Sequence, residues 1–155
     1  MSACATASAD AARARLRLWI RMLRLTRAIE SELRENLRTE FSATLPRFDV
    51  MAALYRFPRG MILSELSRYL MVSNGNVTGI VNRLVSDGLV ERTRRGGDRR
   101  TTVVRLSEHG TASFESMARA HESWVNGIFA NLTPGEAETL AARLRQTSLY
   151  PRVAP

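Results

Sequence analysis

Lysine is absent from this 155-residue chain: all 23 of its basic residues are arginine. We attribute that to a compositional bias of the genome rather than to a recognition demand. Cysteine is nearly absent too, with Cys4 alone, so no disulfide framework and no metal-spaced Cys/His cluster can be drawn. A redox-sensing thiol needs a structured electropositive niche, which the Ala/Ser/Thr-rich residues 1–12 do not offer. We read those residues as a disordered tail. It has no apolar core of a secretion signal, and no run of about 18 apolar residues follows, so a cytoplasmic protein without membrane contact is expected. There is no phosphate-binding glycine loop, no G-x-S-x-G, no H-E-x-x-H and no histidine paired with a nucleophile in a known pattern. Neither an enzyme nor a cofactor-binding protein is indicated.

What is present is charge of one sign. The formal net charge is +8 and the pI about 11.2, which favours an anionic partner, double-stranded DNA first. An apolar content of 45% is enough for a core. Everything else is arranged around residues 60–106. Within them, Val77, Ile80, Val81, Leu84 and Val85 form one apolar stripe of a helix for which Ser73 is the N-cap. Opposite that stripe fall Gly75, Gly79, Asn82 and Ser86, with Asn76 and Arg83 beside them. Such a face is either a glycine-weakened polar surface or a reader of the major groove. Asn and Arg pair bidentately with adenine and guanine, and glycines one turn apart let the backbone approach closely. Ser73, Asn74, Gly75, Asn76, Thr78, Gly79, Asn82 and Arg83 are therefore the candidate major-groove residues.

The neighbours favour the second reading. Upstream, residues 61–70 place Ile62, Leu66, Tyr69 and Leu70 on one helical face ending near Met71 and Val72, which completes a helix-turn-helix. Downstream, Gly88 ends the second helix, and residues 89–94 and 101–106 are β-branched runs flanking a glycine-bearing basic tip, a β-hairpin. Between residues 91 and 105, Arg92, Arg94, Arg95, Arg99, Arg100 and Arg105 face only Glu91 and Asp98. A winged helix-turn-helix follows, in a mainly α fold with a small β wing.

Leu63-Ser64-Glu65-Leu66-Ser67, Val72-Ser73 opening a helix, Arg83-Leu84-Val85 before Gly88-Leu89-Val90-Glu91-Arg92, then Asp98-Arg99-Arg100 and Arg105-Leu106-Ser107-Glu108 before Gly110 together resemble the MarR family of bacterial transcription regulators. The resemblance implies that Asp98 holds Arg100 for insertion into the minor groove, with Arg94, Arg95 and Arg99 beside it on the wing. Two departures stand out. Ile62 occupies the place of the usual Ser/Thr cap opposite Glu65, so no capping box and a frayed helix start are expected. Gly75 and Gly79 replace larger polar residues, so the base preference should be the chain's own.

Residues 13–39 read as one helix, with Leu18, Met22, Leu25, Ile29 and Leu33 on one side and Leu16, Trp19, Ile20, Leu23 and Leu37 widening the apolar surface. So apolar a helix is buried on more than one face, and the resemblance implies a homodimer in which it interlocks with the C-terminal helices. We therefore read residues 13–155 as a single domain: dimerisation helices at 13–44 and 107–155, and a DNA-binding lobe at 45–106. Arg13, Arg15, Arg17, Arg21, Arg24 and Arg27 precede any acid in the first helix and form either a solvated face or an electropositive shelf. A second helix opens at residues 45–46, with Phe48, Met51, Ala52 and Tyr55 on one face, core in the simplest reading.

The resemblance also implies effector pockets between the first helix, the second helix and the winged lobe, which makes Trp19, Met22, Arg47, Phe48, Met51, Tyr55 and His121 pocket candidates. Leu45-Pro46-Arg47-Phe48-Asp49 and residues 71–79 are similar to the branch that answers to hydroxycinnamoyl-CoA and related aryl-CoA esters. A small aromatic acid or its thioester is the implied effector. Ser107 starts the next helix, with Phe114, Met117, His121, Trp124, Val125 and Ile128 on it, and Thr133-Pro134-Gly135-Glu136 is a capping box for the last. The alternatives are a nonspecific architectural DNA protein and a regulator without any effector.

Overall fold

The computed structural model describes residues 2–94 and 102–147. Six helices and a hairpin follow one another: α1 (Ser2–Phe41), α2 (Leu45–Arg56), α3 (Leu63–Leu70), α4 (Asn74–Ser86), β1 (Val90–Arg94), β2 (Thr102–Leu106), α5 (Glu108–Ile128) and α6 (Pro134–Arg145). Two compact units divide the chain, Met1–Ala120 and His121–Pro155. The division falls inside α5, downstream of the 106/107 boundary drawn from the sequence.

In the first unit the predicted winged helix-turn-helix is observed. Its core joins Leu33 and Leu37 of α1, Phe48, Val50, Met51, Ala53 and Leu54 of α2, Leu66 of α3, Val77, Val81 and Leu84 of α4, Val90, Val103 and Val104 of the hairpin and Phe114 and Met117 of α5. The α4 stripe turns inward as its periodicity requires, with Ile80 and Val85 half-buried at its edges. Thr44 precedes Pro46 at the first turn of α2, where a missing N–H costs nothing.

Four differences from the sequence reading have physical reasons. Residues 2–12 are helical rather than a disordered tail, because alanine recurs there without glycine or proline and has the highest helix propensity. Met61 does not open α3 but bridges β2: its N–H donates to the Val104 carbonyl at 3.0 Å and its carbonyl accepts from the Val104 N–H at 2.8 Å. The hairpin thereby gains a third backbone partner. The start of α3 keeps half of its capping box, since Glu65 accepts from the Ile62 N–H at 3.2 Å although isoleucine offers no acceptor in return. Finally, the hairpin pairs Val90 with Leu106 through Arg94 with Thr102, so Leu89 lies outside the ladder, its carbonyl accepting from the Ser107 N–H.

No residue of α1 from 10 to 32 is buried. Leu16, Leu18 and Trp19 are each 57% exposed and Leu25 51%, too much apolar surface on one helix to be incidental. In the second unit, α6 carries the predicted capping box, Thr133 and Glu136 exchanging backbone-to-side-chain bonds at 2.9 and 3.4 Å.

Candidate nucleic-acid interface

The turn between α3 and α4 is fixed by its own backbone. Met71 adopts the left-handed region at φ 54°, the Val72 N–H returns to the Ser67 carbonyl at 3.1 Å, and the Ser67 hydroxyl donates to the Val72 carbonyl at 2.6 Å. Ser73 then caps α4 by accepting from the Asn76 N–H. Leu66, Val77, Val81 and Leu84 are completely buried, so the rotation of α4 about its axis is set by the core.

That rotation presents Ser73, Asn74, Gly75, Asn76, Gly79, Asn82, Arg83 and Ser86 to solvent. Thr78 is half-buried and its hydroxyl donates to the Asn74 carbonyl at 2.7 Å, which removes its donor from the face. A Cβ built at Gly75 or Gly79 meets nothing within 4 Å. Neither glycine is required by the packing of this chain, and each costs about 1 kcal/mol of helix stability relative to alanine.

The basic residues of the hairpin are not equivalent. Arg92 of β1 donates to the Asn82 side-chain oxygen at 2.5 Å, tying the wing to the exposed face of α4. Arg105 pairs with Glu91 across the strands at 2.6 Å, so its charge is already answered. Arg94 ends β1 opposite Thr102. The predicted tip residues Arg95, Asp98, Arg99 and Arg100 lie outside the described residues.

Of the pocket candidates, Trp19 is exposed and Met22 half-buried on α1. Phe48 and Met51 are buried in the core, and the Phe48 ring lies 5.4 Å from Phe114. Tyr55 stands 4.9 Å from the same ring, and its hydroxyl donates to Glu115 at 3.0 Å. That bond, with the charge of Glu115 behind it, raises the phenol's pKa. Arg47 forms an ion pair with Asp87, the C-cap of α4, a link the sequence did not reveal because Asp87-Gly88 reads only as a helix end. His121 belongs to the second unit, where burial lowers its pKa below the usual 6.5. Among the described residues no cluster of His, Cys, Asp and Glu could hold a metal, and no helix is long and apolar enough to cross a membrane.

Residues 43–101 match a model described as MarR family. The crystal structure of a MarR family transcriptional regulator from Silicibacter pomeroyi is 32% identical, with a TM-score of 0.73 over 88% of this chain and 94% of that one. A mutant Escherichia coli MarR complexed with operator DNA is 28% identical, with a TM-score of 0.72 over 83% and 91%. The transcriptional activatory protein BadR of Rhodopseudomonas palustris is 34% identical over 111 residues, 68% of this chain. The chain spans 58% of the length of this curated relative and of another.

Proposed function

The chain belongs to the MarR family of DNA-binding transcription regulators, and from that premise we propose that it acts as a homodimeric, sequence-specific repressor released from its operator by a small aromatic acid or its CoA thioester. The observation that carries the DNA reading is the α4 face: amide-bearing, singly basic, and cleared at Gly75 and Gly79 for no reason internal to the fold. Two such helices, one per protomer, would enter successive major grooves about one helical turn apart, with the wing tips, Arg100 foremost, in the flanking minor grooves. The exposed apolar side chains of Leu16, Leu18, Trp19 and Leu25 on α1 support a second copy as their cover. The related E. coli protein complexed with operator DNA supports operator binding by this fold.

Release follows from differential affinity. An effector held between the α1–α2 helices and the winged lobe would prefer a helix spacing that does not fit the operator, and emptying the operator requires a preference of roughly 10⁴-fold. Arg47, Phe48, Met51 and Tyr55 share α2, and Trp19 and Met22 lie on α1. Activation is a second reading, favoured by the name of BadR.

Footprinting on the gene's own upstream DNA tests the first part: protection of a short pseudo-palindrome supports the regulator, and uniform coating supports an architectural protein. Fluorescence anisotropy with aromatic acids and their CoA thioesters tests the second. Release by one of them supports the effector; specific binding that none disturbs removes it.

A further inference from the structure

Resting on that operator-binding reading, we propose that Arg92 is a positioning residue which fixes the direction of the Asn82 carboxamide and so makes Asn82 a reader of acceptor-bearing base edges. A guanidinium has donors only, so the group it meets at 2.5 Å must be the amide oxygen; a reversed amide would set donor against donor. The carboxamide is planar. With its oxygen turned to β1, its NH₂ group occupies the arm directed away from Arg92.

The lock is anchored on both sides. Asn82 projects from α4, whose rotation is set by the fully buried Val77, Val81 and Leu84. Arg92 pairs in the ladder with Val104, itself buried and bound through its backbone to Met61. The bond between them is charge-assisted, the stronger kind, and strengthens further once DNA excludes water. Asn82 lies on the same exposed face as Gly79 and Gly75, three and seven residues earlier, where the helix backbone can approach the bases most closely.

A free asparagine reads adenine by accepting from N6 and donating to N7, which needs both arms of the amide on one base. Arg92 takes one of the two lone pairs of the oxygen and fixes its direction, so a base is met first by the donor arm. That arm finds two acceptors on guanine, N7 and O6, and only one on adenine, N7, or thymine, O4. Arg92 thus sets a base preference without touching the base.

The test is selection of preferred duplexes from a randomised pool by the full chain, at one salt concentration, for the wild type, Arg92→Met, Arg92→Lys and Asn82→Ala. The wild type is expected to enrich guanine at one position in each half-site. Arg92→Met should move that position toward adenine by about tenfold relative to the wild type, Arg92→Lys should restore the original preference, and Asn82→Ala should abolish preference there alone. Arg92→Met that weakens binding to every sequence alike, with base preferences unchanged, overturns the inference and leaves the operator reading standing. Enrichment of adenine at the Asn82-dependent position by the wild type does the same. A wild type that enriches no sequence overturns the operator reading and this inference with it.

Discussion

The first turn of α5 rests on the backbone of Leu89: a Cβ added at Gly110 would stand 1.8 Å from the Leu89 carbonyl oxygen. Ser107 completes the joint. Its hydroxyl donates to the Gly88 carbonyl at 2.6 Å and accepts from the Gly110 N–H at 2.9 Å, while its own N–H meets the Leu89 carbonyl at 3.0 Å. The end of the recognition helix and the start of α5 are therefore packed backbone to backbone. Gly110→Ala should destabilise the protein by about 3 kcal/mol, because neither backbone can yield without displacing the other. Thermal unfolding followed by circular dichroism checks this; a melting temperature within a degree or two of the wild type contradicts it.

Gly75 and Gly79 should behave in the opposite way. With nothing within 4 Å of a built Cβ, Gly79→Ala and Gly75→Ala should each stabilise the free protein by about 0.5–1 kcal/mol through helix propensity and loss of unfolded-chain entropy. DNA affinity should fall in the same variants. Opposed signs in melting and in anisotropy are the expected signature; a gain in both would mean that the duplex does not use the cleared space.

The Arg47–Asp87 pair ties the first turn of α2 to the C-cap of α4, with the Arg47 side chain 25% exposed and that of Asp87 46%. Arg47→Ala and Asp87→Ala should each lower stability by about 1 kcal/mol, and the double variant should lose clearly less than the sum. Urea unfolding of the four proteins gives the coupling. Unaltered stability in Arg47→Ala, together with a lost response to aromatic ligands, would place Arg47 in an effector pocket instead.

Burial lowers the pKa of His121 from 6.5. The native state therefore binds fewer protons than the unfolded chain as pH falls through 6.5, and the stability this group contributes at pH 7 is lost progressively below that value. Melting temperatures should decline from pH 7 to 5.5, and the slope should be shallower in His121→Gln. The raised pKa of Asp49, caused by burial and then by Glu30, acts in the reverse sense but from its lower starting value of 3.8. Equal slopes in the wild type and His121→Gln would exclude the histidine.

Periodicity and capping were legible because they are local. The α4 stripe, its Ser73 cap and the α6 capping box each depend on residues a few positions apart, and the structure places them as those patterns require. The face of α4 followed from the stripe by geometry alone. The pairings that tune that face join distant residues: Arg92 with Asn82, Arg47 with Asp87 and Met61 with Val104. An arginine in a basic hairpin reads as phosphate charge until a partner across space is visible, and Arg105 opposite Glu91 shows how that reading overcounts free charge. Residues 2–12 depart from the sequence pattern for a different reason. Small polar residues suggest disorder, while the alanines among them favour helix.

The α4 face, Arg83 included, reads base sequence in the proposed function, while the arginines of the wing tip supply affinity. The most direct test is anisotropy of the wild type, Asn76→Ala and Arg83→Ala on the selected duplex and on a scrambled duplex of equal length at the same salt. Each variant should lose about 1–3 kcal/mol on the selected duplex and little on the scrambled one. Equal losses on both duplexes would contradict it.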